Sequence, residues 1–283
     1  MNTRNLLNLS LLLIVAVLAF LIYQSEDPGT ELERLNHIDI GNGATDITSL
    51  VIEHNGRRTV LERSTSGQWK ITEPISIAAN NFRVKSILKL AEAPVHKSYS
   101  LKELDVDKIG LGDNDRGVTN TTVTFGNKTL RFGIINPVTN LRYIQIGKTV
   151  YTIEDLYHPL LSSHFGTLVS LSMLPENSII EKLVLINQTI SKDVNDRWQS
   201  NIDISADRIA AAVDDWKTTQ AFGIHEYMKR DQLGEVFIYL QGKDEAIAFQ
   251  VTDTDPWLIL ARPEIGLEYH LDIEAYNKLI VPQ

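Results

Sequence analysis

The chain has 283 residues, of which 43% are hydrophobic and 22% charged, as in ordinary globular proteins, and it is long enough for two domains. It contains no cysteine, which excludes disulfides, thiolate metal sites, a cysteine nucleophile and a lipoprotein anchor. The net charge is −9, and residues 176–283 carry 19 acidic against 10 basic side chains. Such an acidic surface repels nucleic acid and anionic lipid, so neither is expected as a ligand.

The first predicted element is an apolar segment, residues 6–23, without a charged side chain. As a helix it spans roughly 27 Å, close to the thickness of a bilayer core. Arg4 precedes it and acidic residues follow it, so the N-terminus is expected in the cytoplasm. A cleaved signal peptide is the alternative, but its apolar region would be shorter. We therefore expect a single-pass protein of the bacterial inner membrane, mostly periplasmic, with residues 1–25 as anchor and 26–36 as tether.

Residues 37–175 are predicted to form a first α+β domain. An Asn-Gly pair at residues 55–56 lies between two alternating segments, which predicts a β-hairpin. Apolar residues at helical spacing within residues 80–94 predict one amphipathic helix. Four alternating segments within residues 121–155 predict an antiparallel meander, and residues 154–171 predict a closing helix.

Residues 176–283 show the same order and are predicted to form a second α+β domain, a diverged copy of the first. Trp69 and Trp198 each precede a predicted helix, so both are expected to be buried anchors beneath it. Tyr151 and Tyr269 hold matching positions in the two meanders. The predicted fold class is α+β, with two tandem copies of a β-hairpin–helix–antiparallel meander unit after an N-terminal transmembrane helix. Two unrelated domains with common patterning are the alternative.

Two fragments carry residue types found in catalytic or calcium sites. Ser86 and Lys89 have the Ser-x-x-Lys spacing of serine acyl-enzymes, but Ser86 is predicted in mid-helix and no Lys-Thr-Gly motif accompanies it. Asp113 and Asp115 precede Gly117, but the downstream glutamate of a calcium loop is missing. An exposed helical face and a solvated turn are the favoured interpretations.

Two further fragments carry residue types that bind metals. Asp253 and Asp255 are placed in a predicted hairpin loop, where they would need ligands from elsewhere to hold a cation. His158 and His164 are six residues apart, which puts them on different faces of a helix. We assign no catalytic, cofactor-binding or metal-binding residue and expect no cofactor and no enzymatic activity. The sequence assigns no ligand-binding residue.

Several glycine, proline and aromatic residues between residues 36 and 175 follow a family pattern. They are Gly67, Trp69, Pro74 and Ala78 or Ala79 before the helix, Gly110 and Leu111 after a short acidic segment, and Gly133, Tyr143, Gly147 and Tyr151 in the meander. In these residues the chain resembles the bacterial domain-of-unknown-function 4340 family, and the resemblance is looser beyond residue 175. It implies a membrane-anchored extracytoplasmic protein associated with ABC transporters of the gliding-motility type. It supplies no catalytic residue.

The sequence therefore predicts a non-catalytic, membrane-anchored extracytoplasmic accessory protein that docks on an ABC-type transporter or envelope complex. Its expected partners are the inner membrane, through residues 6–23, and transporter subunits, but no nucleic acid. The alternative is a periplasmic binding module for a glycan or other small ligand. A pocket with converging polar groups would favour the binding module, whereas an exposed apolar patch rimmed by charge would favour docking.

Overall fold

Two large antiparallel sheets dominate the protein. The computed structural model describes residues 15–17, 36–38, 46–112 and 120–282. Among these residues, nine strands form one sheet, eight form the other, and two more make a small separate pair. The protein is therefore mostly β.

The first sheet is built around strand β2. The first eleven strands are β1 (Asn36–His37), β2 (Ser49–His54), β3 (Arg57–Arg63), β4 (Trp69–Glu73), β5 (Ile77–Ala78), β6 (Pro94–Val95), β7 (Lys97–Ser100), β8 (Thr121–Phe125), β9 (Lys128–Ile135), β10 (Leu141–Ile146) and β11 (Thr149–Glu154). Strands β1 and β6 pair with each other, and the other nine form the sheet in the order β5-β4-β3-β2-β8-β9-β10-β11-β7. Strand β2 thus has β3 on one side and β8 on the other.

The β2–β3 hairpin forms where the Asn-Gly pair predicts it. Asn55 and Gly56 have φ angles of 49° and 77°, the left-handed values that a two-residue primed turn requires. The turn places His54 directly opposite Arg57 in the register. Since directly opposed residues of an antiparallel pair share a face, both side chains leave the same side of the sheet.

The second sheet follows a similar path along the chain. Its strands are β12 (Ile180–Val184), β13 (Thr189–Lys192), β14 (Trp198–Ser200), β15 (Gly223–Glu226), β16 (Gly234–Leu240), β17 (Ile247–Asp253), β18 (Leu258–Arg262) and β19 (Leu267–Leu271). They lie in the order β14-β13-β12-β16-β17-β18-β19-β15. Strand β19 therefore lies between β18 and the edge strand β15.

Among the described residues from position 46 onward, helices are few and short. They are α1 (Asn81–Leu88), α2 (His158–Ser162) and α3 (Ala206–Thr218), with 3-10 turns at Lys89–Glu92, Leu101–Glu103, Phe165–Leu168 and Pro263–Ile265 and a π turn at Tyr276–Ile280. The Asn80 side chain caps α1 by accepting a hydrogen bond from the Arg83 amide, and Ser205 caps α3 through the Arg208 amide. The predicted helices after Asn80 and near Ser205 are therefore present.

The predicted closing helix over residues 154–171 is wrong. Only α2 and the turn Phe165–Leu168 are helical there, and Ser163 has extended backbone angles between them. The Ser162 and Ser163 hydroxyls donate to the carbonyls of His158 and Pro159 at 2.8 and 2.6 Å. These side-chain hydrogen bonds compete with continuation of the helix, so the chain turns away after α2.

The predicted α+β class is also wrong, as is its hairpin–helix–meander unit. Four paired strands in the first sheet and three in the second, not a hairpin, precede the helix, and a further edge strand follows it. More of the buried apolar side chains lie on strands than on helices. The helical periodicity within residues 80–94 and near Ser205 is real, but each helix is a small addition to a sheet.

The predicted transmembrane anchor, residues 6–23, lies outside the described residues except for residues 15–17, which are helical. The predicted tether lies outside them except for Asn36. Within the part of the chain that the structure describes, no helix is long and apolar enough to cross a membrane. The anchor, the tether and the domain boundaries stay predictions.

A short extended connection joins the two sheets. On one side the Asn80 amide donates to the Leu168 carbonyl at 2.7 Å, and Val169 forms a bridge with Ala79. On the other side the Ala221 amide donates to the Leu171 carbonyl at 2.9 Å. One continuous apolar core extends through both sheets and this connection.

The tryptophans do not have equivalent roles. Trp69 is 3% exposed and belongs to the core, as expected. Trp198 is only partly buried at the surface of the core, with the Lys192 ammonium 5.6 Å from its ring, so the expectation of a second buried anchor there is wrong. The buried tryptophan of the second half is Trp216 on α3, whose indole N–H donates to the Leu279 carbonyl at 3.0 Å.

These burial differences predict a ranking of stability losses. Trp69→Ala and Trp216→Ala should each lower the free energy of unfolding by about 3–5 kcal/mol, because each leaves a large cavity. Trp198→Ala should cost only about 1 kcal/mol, a typical value for a partly exposed position. Urea unfolding followed by circular dichroism measures all three, and an equal loss at Trp198 and Trp216 would contradict the assignment.

Candidate functional site

A cavity of about 220 Å³ opens beside the β2–β3 turn. One part of its wall is apolar and comes from β2, α2 and the turn that follows α2. The side chains that form this part are Ile52, Leu160, Leu161, Phe165 and Leu168. Ligand sites are usually concave, mostly apolar and supplied with a few polar groups, at volumes of roughly 300–1,000 Å³, so this cavity has the lining of such a site at a smaller size.

The other part of the wall is polar and is set by the hairpin. His54 ends β2 and Arg57 begins β3, so the turn presents both on the face that contains Ile52. Thr59, Ser163, His164 and Arg58 line the same cavity. Polar groups therefore converge from two segments that are far apart in sequence.

The two arginines of the cavity differ in their pairing. Arg58 forms ion pairs with Glu53 and Glu73, at 2.9 and 3.0 Å, so its charge is balanced. Arg57 is exposed and has no ion pair among the described residues. Arg57 is therefore the cation of this wall that is left for a ligand.

Besides burial, the Arg57 charge contributes to lowering the pKa values of His54 and His164, the two histidines that line the cavity. Burial, and then the Arg57 guanidinium, lower the pKa of His54. Burial also lowers the pKa of His164, with Glu226 acting to raise it and Arg57 and His225 acting to lower it. Burial and the Arg57 charge both act against protonation of these two rings, so both favour the neutral form.

Behind the cavity, His54 belongs to a hydrogen-bonded chain. Its Nδ1 lies 2.7 Å from the Thr121 hydroxyl, which lies 3.2 Å from Nε2 of His158. The side-chain amide nitrogen of Asn55, Nδ2, lies 3.1 Å from His54 Nε2. Register produces this meeting, because β8 pairs with β2 and puts Thr121 opposite His54.

One assignment of hydrogens satisfies every member of this chain. The Asn55 side-chain amide donates to His54 Nε2. The His54 Nδ1–H donates to the Thr121 hydroxyl, and that hydroxyl donates to His158 Nε2. Both imidazoles are neutral in this arrangement. A proton added at either acceptor nitrogen would meet a donor already pointing at it, so protonation breaks the chain.

The central hydroxyl gives the first test. Thr121→Val should lower the free energy of unfolding by about 1–3 kcal/mol, because it leaves a donor on His54 and an acceptor on His158 without partners. Thr124→Val on the same strand is the matched control, since its hydroxyl bonds only to Thr129 at an exposed position. Urea unfolding measures both, and equal effects would show that the buried chain contributes nothing.

The neutral histidines predict a pH dependence of stability. Burial and then Arg142 lower the pKa of His158, with His54 adding to this and Asp155 opposing it. Since the folded-state pKa values of His54 and His158 lie below the ordinary 6.5, the unfolded chain binds protons more readily. Stability is therefore complete above that value and declines as the pH falls towards the folded-state pKa values.

We expect a lower free energy of urea unfolding at about pH 5.5 than at about pH 7.5. The decline should be smaller in His158→Gln, which keeps an acceptor for Thr121 but cannot titrate. His96→Gln, at an exposed position, should retain the full decline. The same pH profile in all three proteins would contradict the role of His158.

A second feature, the aromatic patch, consists of Phe222, Trp257, His225 and His270. Phe222 and Trp257 are 52% and 49% exposed. Their rings meet edge to face, with the ring centroids 5.6 Å apart. The His270 ring lies 6.2 Å from Phe222 and 4.5 Å from His225. The strand order β18-β19-β15 brings the four residues together, since they lie in or next to these three strands.

The buried carboxylate of Glu268 fixes His270, a member of the patch, through a hydrogen bond. Glu268 is 1% exposed and accepts hydrogen bonds from the Met228 amide at 3.0 Å, from Arg230 at 2.6 and 3.1 Å, and from His270 at 2.8 Å. Burial opposes its ionisation, but the Arg230, Met228 and His270 hydrogen bonds outweigh burial and lower the pKa of Glu268. His270 and the segment after β15 are thereby fixed.

The catalytic candidates from the sequence do not assemble into a site. The Ser86 hydroxyl donates to the Phe82 carbonyl within α1, at 3.0 Å, and Lys89 follows the end of that helix. Asp253 accepts the amides of Thr254 and Asp255, at 2.8 and 3.2 Å, as in an ordinary polar turn. The pair Asp113 and Asp115, with Gly117, lies outside the described residues.

The two candidate histidines belong to different environments. His158 is part of the buried chain through Thr121, whereas His164 lines the cavity and accepts the Gly166 amide at 3.2 Å. Among the described residues, no group of three or more histidine and acidic side chains is arranged to hold a metal ion. Sequence reasoning missed His54 and Arg57, although the Asn-Gly turn between them was a usable signal.

The described residues define a mostly β protein of two antiparallel sheets that carries a small cavity on one sheet and an aromatic patch on the other. Residues 69–199 match the model of a family described as Domain of unknown function (DUF4340). The match supports the family resemblance and runs from β4 to β14, so it includes strands of both sheets. No curated protein and no solved structure matches the chain.

Proposed function

We propose that this protein is a non-catalytic, membrane-anchored extracytoplasmic accessory protein that docks on an ABC-type transporter or another envelope complex. The aromatic patch is the observation that carries the proposal. Phe222 and Trp257 touch each other and are each about half exposed. Adjoining exposed aromatic side chains are typical of interaction surfaces, where tryptophan is among the residues that contribute most to affinity.

The patch is well prepared for binding because its base is rigid. His270 is hydrogen-bonded to Glu268, and Glu268 is held by Arg230. A surface that is already ordered loses little conformational entropy when a partner covers it. The aromatic side chains can therefore contribute most of their burial energy to affinity.

Exposed acidic side chains lie close in sequence to members of the patch and indicate the chemistry of the partner. Glu226, Asp255 and Asp272 are exposed and are each within two residues of a member of the patch. The second half as a whole has 19 acidic and 10 basic side chains. The complementary partner surface is apolar at its centre and basic at its rim.

The predicted anchor favours a partner in the same membrane. As a random coil, the predicted tether of residues 26–36 would have a root-mean-square reach of roughly 20 Å, which would keep the folded part near the bilayer. Anchoring raises the effective concentration of a membrane partner, so a modest docking surface is sufficient.

Site-specific photocrosslinking in cells tests the proposal. A benzoylphenylalanine residue in place of Trp257 in the full chain should crosslink to an integral membrane subunit of an ABC-type transporter, identified by mass spectrometry. Val194, which is 100% exposed in the same half, is the matched control position and should not give this product. Phe222→Ser should reduce the Trp257 crosslink, because it removes half of the exposed aromatic surface.

An identical product from position 194 would contradict specific docking at the patch. Crosslinks from position 257 to soluble proteins alone would contradict the membrane partner.

A second candidate function, a periplasmic binding module for a glycan or other small ligand, is favoured by the cavity beside the β2–β3 turn.

A further inference from the structure

We propose that the cavity beside the β2–β3 turn is a binding site for a small aliphatic carboxylate, with Arg57 holding the carboxylate and the apolar wall enclosing the hydrocarbon part. The cavity lies on the first sheet, whereas the proposed docking patch lies on the second sheet. The inference therefore goes beyond the proposed docking function and does not depend on it.

The charge of the wall selects an anion. Arg58 is balanced by Glu53 and Glu73, which leaves Arg57 as the uncompensated cation beside the cavity within the described part of the chain. The environments of His54 and His164 agree with this, since the Arg57 charge adds to burial in lowering both pKa values. A ligand with one negative charge would complete the pairing at Arg57.

The anionic group would also find hydrogen-bond donors. An arginine guanidinium presents a planar fork that matches the two oxygens of a carboxylate. Thr59 lines the same cavity, and its hydroxyl can donate one hydrogen bond. Glu226 acts to raise the pKa of His164, but it is not part of the cavity lining and forms no ion pair with Arg57 among the described residues.

The apolar wall requires a hydrocarbon part. Ile52, Leu160, Leu161, Phe165 and Leu168 come from three segments and form a wall with which a purely polar ligand would make no favourable contact. Inorganic phosphate would pair with Arg57 and leave this wall uncovered. An aliphatic group in contact with it gains the transfer free energy of each buried methylene.

The size of the cavity limits the ligand. A volume of about 220 Å³ equals that of roughly seven water molecules. An acid of about four to six carbons is of this size, and so is one leucine-like residue at the carboxyl end of a peptide. Both present the same chemistry, a carboxylate next to a compact aliphatic group, and they differ only in their source.

Calorimetric titration of the purified full chain in detergent, with detergent alone as blank, tests the site. The probes are acetate, butanoate, 4-methylpentanoate, N-acetyl-leucine and N-acetyl-leucinamide. Affinity should rise about fourfold for each added methylene from acetate to butanoate. N-acetyl-leucine should bind and its amide should not, because the amide lacks the charge. Tighter binding of N-acetyl-leucine than of 4-methylpentanoate assigns the site to a peptide terminus, and the reverse order assigns it to a free acid.

Arg57→Gln should weaken 4-methylpentanoate binding by roughly tenfold or more, since a charge-assisted hydrogen bond is lost. Arg208→Gln, an exposed arginine on α3 that does not line the cavity, is the matched control and should bind as the unmodified protein does. Because Arg57 is exposed, its replacement should leave the urea unfolding curve unchanged. Unaltered affinity in Arg57→Gln, equal binding of the amide, or no binding of any acid would each overturn the inference.

These outcomes are separate from those of the docking test. Loss of carboxylate binding in Arg57→Gln with an unchanged crosslink at position 257 would support the cavity site independently of the patch. A negative crosslinking result with positive titrations would reject docking at the patch and keep the carboxylate site.

Discussion

Pairing of β2 with β3 on one side and β8 on the other is the constraint on which the first site depends. Through β3 it places Arg57 opposite His54, and through β8 it places Thr121 opposite His54. A slip of one residue in either pairing would turn one of these side chains to the other face of the sheet. The tight Asn-Gly turn and the buried Leu50 and Ile52 on the same face oppose such a slip.

Strand β19 has the corresponding role in the second sheet. It pairs with β15 and β18, and so brings Phe222, His270 and Trp257 to one edge of the sheet. Glu268 on the same strand fixes His270 from beneath. The connection through Leu168 and Leu171 links this arrangement to the first sheet by backbone hydrogen bonds and a shared core.

The two surfaces have different chemistry, which argues for different ligands. The cavity has an arginine without an ion pair among the described residues, a threonine and an apolar wall, a combination suited to a small anion with a hydrocarbon part. The patch is exposed and aromatic and has acidic residues nearby in sequence, a combination suited to a larger partner with a basic rim. The half of the chain that contains the patch, residues 176–283, is also the more acidic half.

The sequence by itself determined the features that depend on neighbouring residues. These include the hairpin at residues 55–56, the capped helices after Asn80 and Ser205, the burial of Trp69 and the acidic second half, because turns, caps and periodicity act within a few residues. The helical patterns led to the wrong α+β class, because a short amphipathic pattern does not reveal how many strands surround the helix. Only the tertiary structure decided that His54 meets Thr121, 67 residues away, that Trp216 and not Trp198 is buried, and that Phe222 meets Trp257. Such contacts follow from strand order and register, and the local pattern of a strand does not specify which strand lies beside it.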